Sequence, residues 1–112
     1  MKRPVIRKYS DFLTTKNDFS LQGDLFIIKT KNSKENELSK YGVVAGKKFF
    51  KLAVSRNRAK RLLRDWIAWN EDLMLDGFDY IFIARPAILD AKREDGRNQM
   101  QDMLNKISST IQ

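Results

Sequence analysis

Residues 47–64 read KKFFKLAVSRNRAKRLLR, and the rest of the chain is organised around them. From Lys40 to Arg64 there are nine basic residues and no acidic one: Lys40, Lys47, Lys48, Lys51, Arg56, Arg58, Lys60, Arg61 and Arg64. Residues 1–39 carry a net +3 and residues 65–112 a net −4, so the chain's net +8 originates in this one internal segment. Charge concentrated in this way on a folded chain is the electrostatic footprint of a face that binds a polyanion.

The same stretch predicts the principal helix, starting within Leu52–Ser55, running to Leu75 and stopped by Gly77. At about 100° per residue, Ala59, Leu62, Leu63, Trp66, Trp69, Asn70 and Leu73 share one side. Arg56, Asn57, Lys60, Arg61 and Arg64 fall on the other, within an arc of roughly 140°, and Arg58 borders the apolar stripe. Trp66 belongs to the core on this reading, and Trp69 packs at its edge. Solvated helix faces ordinarily mix signs and gain from ion pairs at i,i+4. Here Arg56, Lys60 and Arg64 repeat like charge at that spacing, which costs a few tenths of a kcal/mol per pair in an isolated helix. An anionic partner explains why the repulsion is kept. The cations suit phosphates, and the Asn57 amide, which both donates and accepts, suits a base edge or a sugar hydroxyl.

Working towards the N-terminus, Tyr41–Gly46 (YGVVAG) predicts a strand leading into Lys47 and Lys48. Asp24–Lys31 (DLFIIKTK) predicts another, rich in β-favouring residues, with the polar Lys31–Lys40 segment as the tip of a hairpin between them. Ser20–Gly23 reads as a turn. Ser10 is placed to cap a short helix with Asp11 in its first turn and Phe12 and Leu13 on its apolar side. Towards the C-terminus, Phe78–Ala84 (FDYIFIA) is a strand apolar on both faces, ended by Arg85–Pro86. After a loop containing Gly96, residues Met100, Met103, Leu104, Ile107 and Ile111 recur at helical spacing. The expected order is α-β-β-α-β-α: an α/β (α+β) two-layer sandwich, a small sheet with helices mainly on one face, formed by residues 1–112 as a single domain.

Composition narrows the chemistry. With 42% hydrophobic and 11% aromatic residues the chain is expected to be globular. It has no Cys and no His, which removes disulfides, thiol nucleophiles, Cys/His zinc sites and imidazole acid–base catalysis. No phosphate-binding glycine loop is present. No apolar run nears the ~20 residues of a membrane span, and MKRPVIRKYS lacks the apolar core of a secretory signal, so a cytoplasmic protein is expected. These residues describe a binder whose chemistry, where there is any, is supplied by its partner. Aromatics beside a basic groove stack on unpaired bases at ~1–3 kcal/mol each, but only where one lies on an open face.

Val54–Arg64 (VSRNRAKRLLR) resembles the RNR motif of the bacterial ribonuclease P protein component. YGVVAGKK is similar to that family's strand ending in two lysines, FDYIFIARP to its strand before an "IAR" end, and RKYSDF to its first helix. The resemblance covers nearly the whole chain in the right order. It implies a protein subunit that docks on a catalytic RNA and holds the single-stranded 5′ leader of precursor tRNA, while RNA-bound Mg²⁺ supplies the hydrolytic chemistry. It also implies a left-handed βαβ crossover, an exception to the usual handedness. By position, Asn57, Lys60 and Arg64 match residues facing the leader, and Phe12 matches a cleft aromatic. Arg56, Arg58 and Arg61 match motif arginines associated with the RNA subunit and with holding the helix in place, and Lys47 and Lys48 match the paired lysines. Three departures stand out: Lys16 occupies the place of a second cleft aromatic, Ile28 or Lys29 that of a strand tyrosine, and the link FFKLAVS before the RNR motif is one residue longer than the family's and lacks its common Gly-Asn. The rival expectation is a structural RNA-binding protein of the ribosome. A DNA-binding domain is disfavoured because no helix-turn-helix spacing is present.

Overall fold

The computed structural model describes residues 3–6, 19–32 and 40–111. Its elements are β1 (Ser20–Gln22), β2 (Phe26–Asn32), β3 (Tyr41–Val44), α1 (Ala53–Trp69), β4 (Phe78–Ala84) and α2 (Arg93–Ile111). Short 3₁₀ turns lie at Glu71–Leu73 and Pro86–Asp90. The described order is therefore β-β-β-α-β-α, an α+β fold with a mixed four-stranded sheet and two helices. The expected order began with a helix and had three strands. The helix foreseen around Ser10 and Phe12 lies outside the described residues.

The sheet order is β1-β2-β4-β3, with β4 antiparallel to β2 and parallel to β3. This corrects the expected hairpin of Asp24–Lys31 with Tyr41–Gly46, because β4 inserts between β2 and β3. The reason is in the sequence of β4. Asp79, Tyr80, Ile81, Phe82 and Ala84 are all buried, and a strand this apolar belongs in the interior of the sheet, where both of its edges are paired. The one carboxylate among them, Asp79, accepts the Lys40 backbone N–H at 2.9 Å beside the start of β3. β3, α1 and β4 thus form a crossover between neighbouring parallel strands.

A second correction concerns Ser20–Gly23. Its first three residues form the edge strand β1, which pairs with Ile27–Lys29 across a tight turn closed by Gly23 N–H donating to the Phe26 carbonyl at 2.9 Å. The turn is pinned to α2, where the Gln99 side chain accepts the Leu25 N–H at 3.1 Å. On the opposite side of the sheet Tyr41 donates to the Pro4 carbonyl and accepts from Ile6 N–H, so residues 4–6 run beside the free edge of β3.

Helix α1 starts where expected but ends at Trp69, six residues before Leu75. The buried Asn70 amide donates to the carbonyls of Trp66 and Arg97, both at 3.1 Å, and closes the helix. The chain then turns through Glu71–Leu73 to Gly77, whose φ of +90° suits a residue without Cβ. The third correction is Gly96, expected in a loop but located in α2. A Cβ there would stand 2.1 Å from Cε2 and Cζ2 of Trp66, so the bare backbone of α2 lies against that indole. Trp66, Phe26 and Phe82 form the aromatic centre of the core, with Leu63, Ile67, Met100, Leu104 and Ile107 around them.

Candidate nucleic-acid interface

The basic face begins at the turn between β3 and α1. The N–H groups of Phe49 and Phe50 both donate to the Gly46 carbonyl, at 3.2 and 2.9 Å. Phe50 is buried and anchors the turn; Lys47, Lys48 and Phe49 are consequently held outward. The Lys48 ammonium lies 5.8 Å from the centroid of the Phe49 ring. Arg56 fixes the turn from the helix side, its Nη1 donating to the carbonyls of Phe50 at 2.8 Å and Lys51 at 3.1 Å. Half-buried at the border of the core, this guanidinium braces the turn rather than projecting into solvent.

Beyond Arg56, the helix presents Lys60 and Arg64 at successive i,i+4 steps, about 6 Å apart along the axis, with Asn57 beside them. Asn57, Arg61 and Arg64 are exposed and Lys60 partly so. Among the described residues, the ion pairs are Arg3 with Asp76 and both Arg93 and Arg97 with Asp65. None takes in Arg56, Arg58, Lys60, Arg61 or Arg64, although the acidic C-terminal third packs nearby. Among the described residues the positive charge of this flank is therefore met by no ion pair. Arg58 points the other way round the helix, its Nη2 donating across a long 3.5 Å to the Leu89 carbonyl.

Next to the turn, the sheet face away from the helices opens into a cavity of about 210 Å³ lined by Gln22, Ile27, Phe49, Ile83, Arg85 and Pro86. The sequence reading missed this feature. The alternation in β4 indicated two faces, but which face α1 and α2 leave uncovered depends on where they pack. Phe12, expected as a cleft aromatic, lies outside the described residues. Trp69, expected to pack at the core edge, is instead 63% exposed. Burial pushes the Tyr80 phenol above the ordinary tyrosine range, an effect opposed by the Leu75 N–H that donates to its oxygen at 2.8 Å. Tyr80 sits in the core and is not part of this face.

Chemically, the assembled side chains can neutralise phosphates and stack on bases. With no imidazole or thiol in the chain, no general base is available at neutral pH from those residue types. Among the described residues no three carboxylates converge to hold a metal ion, and no helix is long and apolar enough to cross a membrane.

Comparisons with known proteins agree with this arrangement. The family model described as Ribonuclease P matches residues 1–108. The ribonuclease P protein component of Lactobacillus delbrueckii subsp. bulgaricus is 34% identical over 101 residues, covering 89% of this chain and 84% of that protein. The Staphylococcus aureus RNase P protein superposes with a TM-score of 0.76 at 28% identity, over 99% of this chain and 100% of that one. The RNase P protein from Thermotoga maritima gives 0.75 at 25% identity, over 93% and 97%. The family match over residues 1–108 and the likeness in both sequence and backbone agree with each other, and the chain belongs to the bacterial ribonuclease P protein component family.

Proposed function

We propose that this chain, as one RNA-binding domain spanning residues 1–112, is the protein subunit of ribonuclease P, and that its α1 flank holds the single-stranded 5′ leader of precursor tRNA. Asn57, Lys60 and Arg64 contact the leader, with Lys47 and Lys48 extending the cationic track at the adjoining turn, and Phe12 is assigned to the same cleft. Arg58, turned towards the far side of α1, and Arg61, between it and Arg64, contact the ribonuclease P RNA. Arg56 acts by holding the turn that carries the lysines. The β3–α1–β4 crossover is taken as left-handed, in keeping with the family.

The observations that carry this reading are the row of Lys60 and Arg64, without ion pairs among the described residues, and the apolar cavity at the Phe49 turn that leads into the same helix. A phosphate track next to a surface for bases is what an unpaired strand requires. Contacts to a leader that mature tRNA lacks favour precursor over product, so the protein contributes differential binding. The hydrolytic step belongs to the RNA and its Mg²⁺, and no residue of this chain is assigned to that metal. The expected place of action is the cytoplasm.

Reconstitution with the cognate catalytic RNA tests the proposal. At low Mg²⁺ the added protein should accelerate removal of the leader and tighten precursor binding, while the protein alone should cleave nothing. An RNA whose rate and precursor affinity ignore the protein, or cleavage by the protein without RNA, would refute it.

A further inference from the structure

The two tryptophans of α1 have opposite fates: Trp66 is fully buried and Trp69 is 63% exposed. A large aromatic left in water forfeits a sizeable transfer free energy, and grouped with other surface features it marks an interaction site. Trp69 is also held in place. The Arg97 guanidinium lies 4.3 Å from its ring centroid, and Arg97 is tethered by donating to Asp65 at 3.2 Å. One face of the indole is thus covered by a cation.

The close approach at Gly96 explains the geometry. With α2 seated directly on Trp66, the residues three before and one after Gly96, Arg93 and Arg97, are brought to the α1 flank that carries Asp65. Arg93 reaches Asp65 at a loose 3.7 Å and stays largely exposed. Next to this pair an open groove of about 300 Å³ is lined by Arg58, Arg61, Leu62, Asp65 and Arg93. The single carboxylate is shared by Arg93 and Arg97, while Arg58 and Arg61 have no ion-pair partner among the described residues. The groove therefore has a surplus of guanidinium groups, and its Asp65 also holds Arg97, the cation that lies over the exposed Trp69 ring.

At about 100° per residue, Arg58 and Trp69 lie roughly 150° around α1 from Lys60 and Arg64. A strand seated on Lys60 and Arg64 therefore faces away from Arg58 and Trp69, and Arg61 lies at the border between the two surfaces. We infer that the groove between α1 and α2 is a second RNA-binding surface, which seats backbone phosphate of the catalytic RNA on Arg58, Arg61 and Arg93 and stacks one of its unpaired bases on Trp69. Guanidinium groups suit phosphate, and an indole backed by a cation offers a π-surface to any base. The inference rests on ribonuclease P RNA being the partner; what it adds is Trp69, with Arg97 as its positioning residue, and Arg93.

The test uses the full-length protein and the cognate catalytic RNA. Trp69→Ala should weaken binding of that RNA by about tenfold or more, as loss of a base–aromatic stack does. Trp69→Phe should recover most of the loss, and Arg93→Gln should weaken binding while lowering its salt dependence. In each variant the holoenzyme, assembled at saturating protein, should keep its preference for precursor over mature tRNA. Because Trp66 is buried, the RNA should quench chiefly the Trp69 fluorescence, and that quench should vanish in Trp69→Phe. Circular dichroism checks that the variants fold. Unchanged RNA affinity in Trp69→Ala would overturn the inference and leave the ribonuclease P assignment standing. A self-association abolished by Trp69→Ala, with RNA affinity intact, would overturn it too by giving the indole to a protein contact. Failure of the unsubstituted protein to bind the catalytic RNA would remove both readings.

Discussion

Replacing Gly96 by alanine sets two effects of opposite sign against each other. Gly96 lies within α2, where glycine is less favourable than alanine by about 0.8–1.0 kcal/mol, so helix propensity alone makes Gly96→Ala stabilising. The tertiary structure reverses the sign. The new methyl carbon would stand 2.1 Å from two ring carbons of Trp66 and 2.5 Å from a third. Non-bonded carbons settle near 3.5–4.0 Å, so the helices must part by well over 1 Å, or the indole must leave a fully buried site against Phe26. Overpacking typically costs 1–3 kcal/mol, and a clash this deep with a rigid ring lies at the upper end of that range. After the propensity gain is subtracted, the net loss is about 2 kcal/mol, or a fall of roughly 10 °C in Tm for a domain of this size. Urea and thermal denaturation measure it directly. Trp66→Leu, which shortens the ring that is struck, should make the Gly96→Ala step much less costly, giving a coupling of 1 kcal/mol or more in a double-mutant cycle. A neutral or stabilising Gly96→Ala, or strict additivity with Trp66→Leu, would refute the contact between α1 and α2, and with it the groove that Arg93 and Arg97 share with α1.

The remaining expectations follow from the site. Lys60→Ala and Arg64→Ala should each weaken precursor binding more than mature-tRNA binding and reduce the log–log salt slope by ~0.7; equal losses for both RNAs would exclude the leader contact. Arg56→Ala should differ from Arg64→Ala by lowering the melting temperature as well as the affinity. It releases two carbonyls from a charged donor, and we expect a loss of about 1 kcal/mol by denaturation. The neighbouring aromatics should separate cleanly: Phe50→Ala should cost about 3 kcal/mol of stability, whereas Phe49→Ala, exposed, should leave stability within about 0.5 kcal/mol. Alkaline pH probes Tyr80, whose folded-state pKa is raised by burial. Its contribution is complete below the unfolded tyrosine value of about 10 and falls as pH rises above it, since the unfolded chain then loses the proton first. Denaturation between pH 9 and 11 should show that decline, and Tyr80→Phe should flatten it.

Much of the site is one-dimensional information. A helix of fixed period assigns each side chain a direction, so the separation of Lys60 and Arg64 from Leu63 and Trp66 follows from spacing alone. The sign pattern at i,i+4 then shows that the flank carries excess charge. The absence of His and Cys is likewise complete in the sequence, and it removes imidazole and thiol chemistry before any fold is known. Strand β2 was legible from its β-favouring residues, and β4 from its alternation and two-sided apolarity.

What spacing does not encode is which element covers which face. Arg56 and Arg64 look equivalent on a helical projection, yet one braces a turn built by Phe50 and the other stands in solvent. Trp66 and Trp69 share one apolar side, and only the path of α2, set by the missing Cβ of Gly96, buries the first and leaves the second to Arg97. Gly96 itself looks like a loop residue until the indole opposite it is known. The insertion of β4 between β2 and β3 is of the same kind, a pairing between residues about 40 positions apart that neither strand announces by itself. Local periodicity determined the faces of this protein; contacts between residues distant in the chain, which depend on shape and close packing, decided what each face meets.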